Sequence, residues 1–125
     1  MNLAGEVMRK NVEFCVPETR APDMLYLMKK YDYDDLLVVD NMKDKHLIGV
    51  VHGSAISDNK LKEVVHPFDI SAKSCMEKVP ATVTRASSID ECLKLMDASH
   101  MTLLPVMDSD GRCCGIVMRE DLLLY

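Results

Sequence analysis

The feature that most constrains this chain is an internal duplication. Val7–Asp40 aligns with Cys75–Asp108 at an offset of 68, without a gap and with 8 identities in 34 positions. The identical pairs are Met8/Met76, Lys10/Lys78, Leu25/Leu93, Leu27/Leu95, Met28/Met96, Leu36/Leu104, Val38/Val106 and Asp40/Asp108. After Asp40 the first copy is two residues longer, so Gly49-Val50-Val51 meets Gly115-Ile116-Val117 at an offset of 66. A copy of ~60 residues buries too little apolar surface to stand comfortably alone, so two similar units are expected to rely on one another. The apolar fraction of 48% and the charged fraction of 28% are those of a globular chain and argue against disorder.

Each copy reads in the same order: strand, helix, strand, strand, helix, behind a short helical lead segment that carries the shared Met. The lead segments are Ala4–Met8 and Ser71–Met76, and the first strands are Glu13–Val16 and Ala81–Thr84. In the second copy Ile89, Cys92, Leu93 and Met96 recur at helical spacing, and Ser88 with Glu91 forms a capping-box signal at the start. Ala21, Met24, Leu25 and Met28 repeat the stripe in the first copy, with Pro22 tolerated in the first turn. Continuous apolar runs follow at Leu36–Val39 and Leu103–Met107, as in a covered sheet. Asp-, Asn- and Gly-rich turns lead to second strands at Leu47–Val51 and Cys113–Met118. Helices close the copies at Ser54–Val65 and Arg119–Leu124. The fold class expected is α/β (α+β), with motifs at residues 1–68 and 69–125 packed face to face about a pseudo-twofold axis and joined around His66-Pro67-Phe68-Asp69.

Several function classes are disfavoured. The net charge of −5 speaks against an extended nucleic-acid surface. No run reaches the ~20 apolar residues of a membrane helix, and Met1–Glu6 has neither the basic start nor the apolar stretch of a signal peptide. Five cysteines, an odd number with no framework spacing, read as reduced core residues of a cytoplasmic protein. Ten methionines suit an adaptable core. The four histidines and the cysteines show no metal-binding spacing, and adjacent Cys113 and Cys114 point to opposite faces of a strand. There is no nucleophile elbow, Walker loop or dinucleotide fingerprint, so the chain is not read as an enzyme.

The second copy carries Met76, Leu104-Pro105-Val106-Met107-Asp108 and Gly115-Ile116-Val117-Met118-Arg119-Glu120-Asp121. Those residues resemble the CBS motif, and the whole chain resembles the tandem CBS pair called a Bateman module. The last run matches the family pattern of Gly, two apolar residues, Thr or Ser, two variable residues and Asp. The resemblance implies a regulatory, ligand-sensing module that binds an adenine nucleotide or related adenosyl compound. AMP, ADP, ATP, cyclic di-AMP and S-adenosylmethionine are the candidate ligands, and none is an obligatory cofactor.

Carried over by position, Asp121 accepts the ribose hydroxyls and Arg119 partners a phosphate. Thr82, Val83 and Thr84 flank the base, with Leu103 and Pro105 on the middle strand. Met118 stands where the family has Thr or Ser, which removes a phosphate hydrogen bond worth roughly 1.5–3 kcal/mol and suits an adenosyl compound without phosphates. In the first copy His52 takes that place and Ala55 replaces the Asp. This copy is expected not to bind a nucleotide in the usual way, with His52 as its candidate phosphate donor. The resemblance further implies a homodimer that modulates a linked enzyme, transporter or channel, such as the ATPase of an osmolyte ABC transporter. It involves no nucleic acid and no direct membrane insertion. The early stop at Tyr125 fits either a segment of a longer protein or a free-standing module. The alternative is a ligand-free structural or dimerisation module.

Overall fold

The computed structural model describes residues 2–57 and 66–124. The elements are α1 (Ala4–Val7), α2 (Ala21–Tyr31), β1 (Asp35–Val39), β2 (Leu47–His52), a helical stretch over 53–57, a 3-10 turn (Pro67–Asp69), α4 (Ala72–Cys75), α5 (Ile89–Ser99), β3 (Leu103–Met107), β4 (Cys113–Met118) and α6 (Arg119–Leu122). The stretch over 53–57 is α3. The expected helix Ser54–Val65 therefore begins as read, and its part over 58–65 lies outside the described residues. The class is the mixed helix-and-strand arrangement expected.

The offset of 68 holds element by element. α2 and α5 are each 11 residues long, and each ends on a left-handed residue, Asp32 (φ 56°) and His100 (φ 59°). Antiparallel β1–β2 pairs Asp35 with His52, and antiparallel β3–β4 pairs Leu103 with Met118. Each hairpin turn is organised by its shared aspartate. Asp40 Oδ1 accepts from the N–H groups of Asn41 and His46 at 2.7 and 2.9 Å, and Asp108 Oδ1 accepts from those of Asp110 and Arg112, both at 2.9 Å. The start of α5 is capped by Ser88, whose Oγ accepts from the Glu91 N–H at 3.1 Å, one half of the expected capping box.

The expected first strands shrink to single bridges. Cys15 pairs in parallel with Val38 and Val83 with Val106. A turn follows each bridge residue directly, and in the first unit the next ladder position is Pro17, which has no N–H to donate. The Val16 N–H donates to Thr19 Oγ1 at 3.0 Å, and the Thr84 N–H donates to Ser87 Oγ at 3.1 Å. These turns swing the chain off the sheet toward α2 and α5.

Two compact units form, and they are not the contiguous halves read from the repeat. One runs from Glu13 to Val79, and the other combines the residues up to Val12 with those from Pro80 onward. The lead segment of each repeat is seated on the hairpin of the other repeat. In the first unit, Glu77 and Val50 exchange two main-chain hydrogen bonds of 2.9 Å. In the second, the Arg9 N–H donates to Ile116 O at 2.8 Å and the Ile116 N–H to Arg9 O at 3.0 Å.

These crossings explain the two glycines of the repeat. A Cβ on Gly115 would lie 2.7 Å from Met8 Sδ and 2.8 Å from Arg9 O, and one on Gly49 would lie 3.1 Å from both Met76 Sδ and Glu77 O. The duplicated Met and Gly are thus two halves of one contact, Met8 over Gly115 and Met76 over Gly49. The core of the first unit includes Met24, Leu36, Val38, Val50 and Ile56, and that of the second Met96, Leu104, Val106, Ile116 and Leu122. Burial pushes the thiols of Cys15 and Cys113 up to about 12 and about 11, so they remain protonated core groups.

Candidate functional site

In the Pro80-onward unit, strand β4 runs directly into α6. Met118 is the last strand residue and the N-cap, with no side-chain capping bond. Antiparallel register sets Met118 opposite Leu103 and Ile116 opposite Pro105, so these four side chains share one face of the hairpin. Leu103 is 1% exposed and Met118 5% exposed, so Met118 is a buried apolar side chain at the position where the resemblance led to a hydroxyl being expected. Val83 is buried at its bridge, while Thr82 and Thr84 on either side are exposed. The wall residues expected from sequence are therefore assembled on one hairpin and its bridged segment.

Asp121 lies in the single turn of α6, which follows Met118 directly. Its carboxylate is gripped by a residue that sequence reasoning did not single out. Arg9 Nε donates to Asp121 Oδ2 at 2.7 Å and Arg9 Nη2 to Oδ1 at 3.0 Å, with a further bond from Nη2 to Glu120 Oε1 at 3.2 Å. The Arg9 side chain is 42% exposed and that of Asp121 25%. No signal in the linear sequence places Arg9 here, because the pair spans 112 positions and follows from the crossing of lead segments. Arg119, the expected phosphate partner, lays its guanidinium against Asp97 of α5.

The equivalent place in the Glu13–Val79 unit has different chemistry. His52 ends β2, and its Nδ1 lies 2.6 Å from Asp35 Oδ1 while its Nε2 lies 3.3 Å from Glu77 Oε2. The Asp35 side chain is only 7% exposed. By the repeat, His52 corresponds to Met118, Asp35 to Leu103, Ala55 to Asp121 and Glu77 to Arg9. One unit thus holds an arginine on a carboxylate over an apolar face, and the other holds a histidine between two carboxylates.

The β1–β2 turn also gathers a group that linear spacing does not reveal. Ligand-type atoms of Asp40, Asp44 and His46 all lie within 4.8 Å of one another. Their bonds are those of the turn itself: Asp40 Oδ2 faces His46 Nδ1 at 2.9 Å, and Asn41 Nδ2 donates to Asp44 Oδ2 at 3.2 Å. Burial raises the Asp40 pKa and the hydrogen bonds from His46 and Asn41 lower it, with a net lowering. The β3–β4 turn performs the same task with Arg112 in place of His46. Among the described residues, no helix is long and apolar enough to cross a membrane.

The family model for the CBS domain matches twice, at residues 4–62 and 68–125. An uncharacterized protein of Methanopyrus kandleri, MK0525, is 28% identical over 119 residues, covering 95% of this chain and 60% of that protein. The inosine-5'-monophosphate dehydrogenase of Methanocaldococcus jannaschii is 31% identical over 125 residues, covering 96% of this chain and 23% of the enzyme. This chain therefore spans less than two thirds of the length of either relative. Among solved structures, CBSX2 in complex with AMP superimposes with a TM-score of 0.80 at 24% identity, covering 99% of this chain and 95% of that one. The CBS domain pair of protein MJ0100, in complex with 5-methylthioadenosine and S-adenosyl-L-methionine, gives a TM-score of 0.80 at 19% identity, covering 98% of both chains.

Proposed function

This chain belongs to the CBS-domain family, with two copies of the motif, and from that membership we propose that it is a regulatory module sensing an adenosine-type ligand at the Asp121 site. The observation that carries the reading is the part-exposed Asp121 carboxylate in the turn that follows Met118 at the end of β4, in the unit that also holds Leu103 and Pro105. A carboxylate accepts from a vicinal diol, and the exposed Thr82 and Thr84 flank the buried Val83 at the bridge to β3. The complexes of CBSX2 with AMP and of MJ0100 with adenosyl thioether and sulfonium compounds support this ligand class. The candidates are AMP, ADP, ATP, cyclic di-AMP and S-adenosylmethionine.

Thr82, Val83 and Thr84 border the base, and Arg119 meets a phosphate on leaving Asp97. Met118, buried where a hydroxyl is usual, tilts preference toward an adenosyl compound with few or no phosphates. The Glu13–Val79 unit is read as a structural partner, because a phosphate at His52 faces Asp35 and Glu77. The module comprises motifs at 1–68 and 69–125, does no chemistry itself and pairs with a second copy in the cytoplasm. It acts on a catalytic or transport domain in the same chain or a partner chain, and the match within a dehydrogenase supports such a host.

A ligand-free dimerisation module is the second reading. It is favoured by the fact that both Asp121 and Arg119 already hold ion-pair partners. A thermal-shift screen against the five candidates and adenosine separates the two. A ligand at 100 times its Kd adds about 2.7 kcal/mol to stability. The sensor reading expects a shift that Asp121→Ala abolishes. No shift with any compound, together with a stable dimer in light scattering, supports the structural reading.

A further inference from the structure

The grip of Arg9 on Asp121 has a chemical consequence. The fork formed by Nε and Nη2 takes one N–H···O bond to each carboxylate oxygen, at 2.7 and 3.0 Å. That bidentate face of the carboxylate is the one a vicinal diol needs for its own pair of bonds. The Arg9 main chain is fixed by two hydrogen bonds to Ile116, and Met8 beside it fills the space over Gly115. The side chain is 42% exposed, so the guanidinium can swing into water while its backbone stays paired.

We infer that Arg9 is an internal competitor for the ligand: its guanidinium occupies the ribose-accepting carboxylate of Asp121 in the free protein and must yield before the sugar hydroxyls bind. This rests on the proposed adenosine-type site. The Glu13–Val79 unit has no counterpart, since Glu77 and Ala55 stand at the corresponding positions. Arg9 is thereby a specificity-determining residue, setting a threshold that a nucleoside binding weakly through its base does not pass.

The test is calorimetric titration of adenosine into the wild type, Arg9→Met, Arg9→Lys and Asp121→Ala at low and high salt. Arg9→Met keeps the apolar stem and removes the donors, and it should bind adenosine roughly three- to tenfold more tightly, as expected for release of a half-exposed bidentate pair. Arg9→Lys, which keeps the charge and loses the fork, should fall between Arg9→Met and the wild type, and it serves on its own if Arg9→Met does not fold. Adenosine is neutral, so its affinity should rise with salt only where the ion pair must be broken: in the wild type and not in Arg9→Met. Adenosine binding that Asp121→Ala abolishes, but that Arg9→Met leaves equal or weakens, overturns the competitor and leaves the site standing. Absence of binding in both the wild type and Arg9→Met overturns the site and the competitor with it.

Discussion

Replacing His52 with methionine, the residue at the matching position of the other repeat, isolates the electrostatics of the Glu13–Val79 unit. The Asp35 carboxylate is 7% exposed and lies 2.6 Å from His52 Nδ1. Removing the histidine leaves a buried carboxylate short of a charge-assisted bond, a loss that reaches ~3–5 kcal/mol for fully buried pairs. The His52 side chain is 31% exposed, so water compensates in part and the expected cost is about 2–3 kcal/mol. For a chain of this length that is a fall in Tm of roughly 6–15 °C. Adding Asp35→Leu recreates the Leu103–Met118 pair of the other unit. Because an apolar pair of fitting volume often equals or betters a buried polar one, the double variant should recover most of the loss. Urea denaturation followed by circular dichroism measures both. A single variant within about 0.5 kcal/mol of the wild type, the usual range of an inert surface change, would refute the reasoning. So would a double variant no more stable than the single.

Two further outcomes follow from the same geometry. Gly115→Ala should destabilise by about 2–3 kcal/mol and Gly49→Ala by about 1 kcal/mol, since overpacking costs scale with what cannot move. The Cβ on Gly115 meets a main-chain oxygen at 2.8 Å and that on Gly49 one at 3.1 Å, and urea midpoints read the difference. Alkaline pH should also weaken the fold through Cys15 and Cys113, whose folded pKa values of about 12 and about 11 exceed the 9.0 of an ordinary thiol. A raised folded pKa gives stability that is complete below the unfolded pKa and lost as pH rises through the window up to the folded value. By pH 10 the loss is about 1.4 kcal/mol per thiol, and it should be absent from the urea stability of a Cys15→Ala, Cys113→Ala variant.

Much of this fold is legible in the sequence because it is written twice. The offset of 68 places the paired helices, the β1 and β3 strands and the turn aspartates, and period and capping fix the start of α5 at Ser88. The first strands reduce to bridges because a turn closed by the Thr19 and Ser87 hydroxyls follows each bridge residue at once, a local competition that apolar periodicity does not report. The composition of the units was hidden for a different reason. Periodicity reports what a segment buries and not which hairpin covers it, so the seating of Met8 and Arg9 on β4 has no linear signature. Asp121, Met118 and His52 could be named from a motif. Arg9, Glu77 and Asp35, which set the charge around them, come from distant segments and appear only when the chain is folded.

The central claim is that an adenosine-type ligand binds beside Asp121 and not beside His52. An amide-resolved NMR titration with adenosine, AMP and S-adenosylmethionine tests it most directly. Shifts are expected at Arg9, Thr82–Thr84, Leu103 and Gly115–Asp121, with Gly49–Ala55 and Glu77 unmoved. Shifts centred on Gly49–Ala55 and Glu77, or none with any of the three compounds, would contradict it.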